Sequence, residues 1–154
     1  MPEIVELLAS PIHRFSGRPA AGPAPAPPGE LVDVIEVRAG LGVVGDRYFA
    51  QPAHRDASVT VISRESLPAG AGLIAVRRNI LLAGVPVDDL VGSVLTLDSG
   101  DGPVRLQVNR RAHPCAWMEV TVGPGAWKAL RGKGGIRCTP LDDGFLRAGP
   151  VTVS

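Results

Sequence analysis

The chain has 154 residues, of which 45% are hydrophobic, enough for one domain whose core needs no disulfide support. A net charge of +1 excludes the strong basic excess that broad nucleic-acid affinity needs. No apolar run reaches the roughly 20 residues required to span a bilayer, and no charged start precedes an apolar leader, so neither membrane insertion nor secretion is expected.

Residues 3–8 read as a first strand. Residues 10–30 form a long surface excursion. Its Pro/Ala-rich part, 19–29, carries Pro19, Pro23, Pro25, Pro27 and Pro28, which exclude regular helix and most sheet pairing. A partly polyproline, mobile loop is expected there. Residues 31–38 are apolar on both parities, predicting one strand covered on both faces. A turn at 40–45 leads to a β-branched strand at 59–62. Ser63 is positioned to cap a helix that Pro68, Gly70 and Gly72 stop early. Strands are predicted at 78–82 and 93–97. Val104, Leu106 and Val108 alternate with Arg105, Gln107 and Asn109, the pattern of a half-buried strand. Residues 125–131 predict one or two helical turns with Trp127 and Leu130 facing inward. Residues 136–141 and 145–153 predict a hairpin around Asp142-Asp143-Gly144. Many short strands with little helix predict a mostly β fold with short helices, a barrel or sandwich, in a single domain over 1–154.

Two segments carry chemistry. In His113-Pro114-Cys115-Ala116-Trp117 a thiol follows Arg110 and Arg111, and nearby cations favour the thiolate, the form that attacks and binds metals. Pro114 stiffens the approach. Gly132-Lys133-Gly134-Gly135-Ile136-Arg137 is a basic glycine loop of the kind that lets an anion approach the backbone. An inert buried cysteine and a plain turn are the competing readings. Two cysteines, Cys115 and Cys138, make no disulfide framework and fit a reducing, cytoplasmic setting. Cys138 reads as a buried strand residue. Fourteen of the 16 basic residues are Arg, the better fork for phosphate. His113 and Cys115 are only two ligands, short of the three or four of a zinc site. No dinucleotide fingerprint follows a strand. His13 and His54 fall in loops and receive no role, and Trp117 reads as core or pocket wall. Together a reactive sulfur and an anion cradle point to a phosphorylated, sulfur-linked cofactor.

Four motifs occur in order: Gly45-Asp46-Arg47-Tyr48, Arg77-Arg78-Asn79-Ile80, Pro114-Cys115-Ala116-Trp117, and the glycine loop ending at Arg137. With Gly92 and the Gly144 to Gly149 segment, the chain resembles the MOSC family, named for the C-terminal domain of molybdenum cofactor sulfurases. The stretch Ser10-Pro11-Ile12-His13-Arg14 is similar to small stand-alone members. The resemblance implies a mostly β, MOSC-type barrel-like domain that binds molybdenum cofactor (molybdopterin), or carries sulfur toward it as a persulfide. Related enzymes reduce N-hydroxylated compounds with a motif cysteine on molybdenum, and Cys115 stands at that position, as catalytic residue and metal ligand. Arg47, Arg77, Arg78, Asn79, Arg110, Arg111, Gly135 and Arg137 are the implied cofactor-binding residues, and Asp46 is read as a turn-fixing partner of Arg47. A redox partner or a cysteine desulfurase is implied as partner. The extra N-terminal subdomain of the amidoxime reductases has no counterpart here, so a homodimer or partner would supply the missing wall. No pyridoxal-phosphate site is expected. A non-catalytic binding or assembly module, using the proline-rich loop, is the alternative from a different class.

Overall fold

The chain is described from a computed structural model, which places residues 1–15, 19, 22, 23, 25 and 28–154. Short β-branched and leucine-rich runs, each ended by glycine, proline or aspartate, form twelve strands among these residues. They are β1 (Glu3–Leu8), β2 (Leu31–Val32), β3 (Val34–Arg38), β4 (Gly42–Val43), β5 (Val59–Ser63), β6 (Ile80–Ala83), β7 (Val94–Asp98), β8 (Pro103–Arg111), β9 (Ile136–Pro140), β10 (Gly144–Arg147), β11 (Gly149–Pro150) and β12 (Thr152–Val153). Three helices of about one turn, α1 (Leu73–Val76), α2 (Trp117–Thr121) and α3 (Ala126–Ala129), complete the fold. It is mostly β with short helices.

The large sheet runs β11-β1-β6-β5-β9-β8-β7-β12, with β2 also paired to β1. Its neighbours are antiparallel except for the β5–β6 pair. The two ends of this sheet are successive pieces of one segment: Gly149 and Pro150 pair with β1, and Thr152 and Val153 pair with β7. The C-terminal segment therefore bridges both edges of the sheet, a pairing consistent with a barrel-like form. A second sheet, β10-β3-β4, covers one side. No helix among the described residues is long and apolar enough to cross a membrane.

Strand parity divides the core in two. Val59 and Val61 of β5 and Ile80 and Leu82 of β6 join Ile35, Val37 and Leu146 of the small sheet in the larger cluster. Ile62 and Leu81 point the other way, where they meet Leu73, Val76, Met118 and Leu130 of the helical segments. β5 is accordingly buried at all five positions. A register shift between Ile4 and Glu6 of β1 lets Ile4 and Leu7 share the larger core while Leu8 enters the smaller one.

Several expectations change in three dimensions. Residues 31–38 are not one doubly covered strand: the chain breaks at Asp33, β2 pairs with β1, and β3 joins the small sheet. Leu31 and Val34 consequently face outward, at 38% and 36% exposure. The predicted C-terminal hairpin is absent, because β9 lies between β5 and β8 while β10 pairs with β3. Non-local partners capture both strands, so the Asp142-Asp143-Gly144 turn links two sheets. Ser63 makes no capping bond, and only a 3-10 turn, Arg64–Ser66, follows it. Its hydroxyl instead donates to the Val85 carbonyl. Leu130 is buried as expected, but Trp127 is 44% exposed. Within the proline-rich stretch 19–29, residues 20, 21, 24, 26 and 27 lie outside the described set, as do residues 16–18 before it.

Candidate functional site

The end of α1 is the first building block. Arg77 closes the helix in the left-handed region, at φ 60 and ψ 37, with its N–H donating to the Leu73 carbonyl at 2.7 Å. A non-glycine residue held there costs on the order of 1 kcal/mol. The cost is offset locally: Arg77 is buried in an ion pair with Glu30, and its carbonyl accepts a bond from Arg47 Nη2 at 3.2 Å. Burial pushes the Arg77 guanidinium below its ordinary value, and the Glu30 bond opposes that shift. Arg47 is itself tied to buried Asp46 at 3.1 Å and lies over the Tyr48 ring at 4.6 Å. Asp46 also accepts from the Ser10 N–H, so it fixes the turn, as the sequence indicated.

The reversal at Arg77 presents Arg78 to an open cleft of about 190 Å³. Among the described residues the cleft is lined by Arg14, Arg47, Arg77, Arg78 and Arg137, with His13, His54, Tyr48, Phe15, Ala57 and Thr60, and by no carboxylate. Arg78 donates from Nε to the Gly134 carbonyl at 2.9 Å and from Nη1 to the Val76 carbonyl at 3.2 Å. Its Nη2 is buried and has no partner. Burial, and then the charge of Arg137, push its pKa down to about 10. Among the described residues, the other buried side-chain polar atoms without a partner are Ser10 Oγ, Glu30 Oε2 and Arg77 Nε. Arg77 and Arg78 line the cleft, and Ser10 and Glu30 are tied to it through Arg47 and Arg77, where such groups call for an additional acceptor or donor.

The glycine loop links the cleft to the thiol. The Ala112 N–H donates to the Gly135 carbonyl at 2.8 Å, and a Cβ on Gly134 would collide with the Ala112 carbonyl and the Pro114 ring. Gly135 approaches β5 so closely that a Cβ would strike the Val61 carbonyl. One loop thus touches the approach to Cys115 and, through Gly134, holds Arg78. Cys115 is half-buried between β8 and α2, within electrostatic range of Arg78. It flanks the cleft lining rather than forming part of it. Trp117, two residues on, stacks on Phe15 of the cleft wall, with centroids 5.3 Å apart and planes 3° from parallel.

The fate of the other sequence candidates follows from the same geometry. Arg137 reaches the cleft from β9, opposite Thr60 on one side and Arg110 on the other. Arg110 is exposed on β8, outside the lining. Arg111 turns away, donating to the Asp88 carbonyl at 3.0 Å and facing Asp89. Asn79 is buried and stitches three strands: its Oδ1 accepts from the Thr60 N–H, and its Nδ2 donates to the Leu8 carbonyl. Gly135 serves close packing, and its N–H donates to Asp88 Oδ1 at 3.0 Å. His113 is exposed, and Cys138 is buried, where desolvation pushes its thiol up to about 12. His13 and Phe15 reach the cleft from a loop and His54 from the 3-10 turn Pro52–Ala57, and the local sequence carries no signal of it.

The chain has the fold of the YuaD protein of Bacillus subtilis. The two share 16% identity and a TM-score of 0.72, over 98% of this chain and 94% of that one. YiiM of Geobacillus stearothermophilus matches with a TM-score of 0.61 at 17% identity, over 100% of this chain and 75% of its own. YiiM of Escherichia coli matches with a TM-score of 0.59 at 18% identity, over 100% and 70%. At these identities the likeness is one of fold, and it is consistent with the MOSC-type architecture that the motifs resemble. No family model matches the sequence, and no curated protein is a significant match.

Proposed function

We propose that this chain is a MOSC-type protein that binds molybdenum cofactor, with the cofactor phosphate in the arginine cleft and Cys115 as the protein's ligand to the metal. The observation that carries this reading is Arg78, a largely enclosed cation whose buried Nη2 has no partner, set beside Arg137 and within range of the Cys115 thiol. Buried polar groups are normally satisfied, and a guanidinium edge matches phosphate oxygens well. Arg78 and Arg137 offset the charge of the phosphate, while Arg47 and Arg77, already paired to Asp46 and Glu30, hold the cleft in shape. Cys115 offers one thiolate, which suffices because the cofactor's dithiolene brings sulfur donors of its own. When bound, the cofactor supplies two-electron redox chemistry at a thiophilic metal. Reduction of N-hydroxylated compounds with electrons from a redox partner is the activity this reading implies.

The test is direct. Protein purified from a host that makes the cofactor should contain molybdenum and pterin in equal amounts, and Cys115→Ser should lose the molybdenum while remaining folded. A folded, freshly purified sample with neither component rejects the reading.

The half-exposed position of Cys115 at the rim favours a second reading, a sulfur carrier. Here the Cys115 thiolate attacks the outer sulfur of a persulfide on a cysteine desulfurase. A new S–S bond forms on Cys115, and the donor cysteine leaves as its thiolate. Incubation with a desulfurase should then add the mass of one sulfur at Cys115, and an unchanged mass rejects it.

A further inference from the structure

Three side chains crowd the mouth of the arginine cleft without a role in the reading above. The His13 ring meets the Tyr48 ring edge-on at 5.2 Å and 73°. Tyr48 in turn lies 4.6 Å from the His54 ring, tilted by 47°. The guanidinium of Arg47 sits over the Tyr48 face at 4.6 Å. Tyr48 thus positions two imidazoles and one cation around a single ring. Both histidines are exposed, so each exchanges protons with solvent, and both line the cleft that holds Arg78 and Arg137.

We propose that His13 and His54 are anion-binding residues, taking up a proton as a doubly charged tetrahedral oxyanion settles against Arg78 and Arg137. The inference rests on the reading that this cleft receives a phosphate-like group. The groups facing His13 are Arg47, Tyr48, His54 and Asp46 from the turn segments, and Arg77 from the end of α1, with Arg14 next to it in the chain. Only Asp46 among them is acidic, and it is already paired with Arg47. His54 faces Tyr48 and His13, and Arg55 and Asp56 follow it on the same 3-10 turn, Pro52–Ala57. Burial holds His13 below its ordinary value, and the charge of Arg47, then of His54, adds to that shift. Without an anion, a proton on either imidazole joins a wall that already carries five arginines. A bound dianion reverses the sign of the local field, and protonation becomes favourable. Binding of anion and of proton are then reciprocal: each strengthens the other by the same factor. Protonation also turns each imidazole into a donor at both nitrogens, adding donors for the oxyanion.

Sulfate is the probe, because it carries two charges across the whole pH range used. The chain contains only three histidines, so ring proton–carbon NMR resolves each one, with His113 as the reference resonance. Saturating sulfate should move the titrations of His13 and His54 to higher pH, and sulfate affinity should fall at least about tenfold between pH 5.5 and pH 8, the linkage expected of one proton. His13→Gln with His54→Gln should flatten that dependence. Sulfate that binds without moving either histidine titration overturns the histidine role and leaves the cleft reading standing. Failure of sulfate to bind at any pH overturns both. Cofactor-loaded protein separates the sources of the oxyanion. If the cofactor's own phosphate occupies the site, the titrations are already raised and sulfate adds nothing. A continued response to sulfate assigns the site to a free anion.

Discussion

Under the proposed function, Arg78 and Cys115 carry the chemistry at the scale of single residues, and each has an internal comparison. Arg78 is enclosed and unpaired at Nη2, whereas Arg64 lies exposed on a 3-10 turn. Arg78→Ala should weaken binding of the cofactor or of sulfate roughly tenfold to a hundredfold, the loss of a charge-assisted bond worth about 1.5–3 kcal/mol. Arg64→Ala should leave affinity unchanged, and equal effects of the two, read by calorimetric titration, would make Arg78 a structural residue. Cys115 is half-exposed and Cys138 is buried, so timed alkylation at neutral pH should label Cys115 first, and bound cofactor should protect it. Faster labelling of Cys138 would remove Cys115 from the site. The Cys138 thiol also has a pH signature. Its folded value of about 12 lies above the ordinary 9.0, so the unfolded chain releases this proton while the native state keeps it. Stability should therefore decline from about pH 9 toward pH 12, by up to about 1.4 kcal/mol per unit. Denaturant unfolding should show that slope in the wild type and a flatter one in Cys138→Ala. The sequence singled out Cys115 and the Arg77-Arg78 pair, and the structure sets both arginines in the cleft lining with Cys115 beside it. The division of labour between Arg77, spent on Glu30, and Arg78, left open, was not, because it depends on a left-handed turn and a partner 47 residues away.

The glycine loop before β9 is the element that joins the two halves of the site. It carries Gly134 against the Ala112 carbonyl and Gly135 against the Val61 carbonyl. Gly135 also sits at φ +94, where a side chain is strained even in open space. Gly135→Ala should therefore lower stability by roughly 2–3 kcal/mol. Gly132→Ala, at φ +73 with nothing near its Cβ, should cost only about 1 kcal/mol. Urea unfolding of both variants checks this, and equal losses would mean that the loop does not pack on β5. The sequence marked this loop as an anion cradle. The structure gives it a different task, because Gly134 offers a carbonyl to Arg78, and a carbonyl repels an anion. Under the proposed function the anion-binding charge comes instead from Arg78, which the loop positions, and from Arg137 on β9. Arg111 illustrates the same limit: β8 sends successive side chains to opposite faces, and Arg111 turns to Asp88 and Asp89.

Closure by the last six residues governs the whole molecule. Gly149 and Pro150 pair with β1, Thr152 and Val153 with β7, and Val151 is buried between them. Removing residues 149–154 opens both edges of the large sheet at once and should abolish cooperative thermal unfolding, followed by circular dichroism. A cooperative transition at an unchanged temperature would show that closure is incidental. Alternation, β-branched runs and glycine punctuation dictate short strands and hence a mostly β class, and four motifs in order carry the resemblance to a MOSC domain. Those signals are local, or depend only on order along the chain. Tertiary structure alone decided strand partners, since β9 finds β5 and β8 rather than the neighbouring β10, and hydrophobic pattern does not encode which edge a strand will meet. It likewise assembled the cleft, bringing His13, Tyr48, His54, Arg78 and Arg137 from five separate segments to one wall. Pairing across such separations is set by burial and by the satisfaction of polar groups in the completed fold, and no window of sequence contains either.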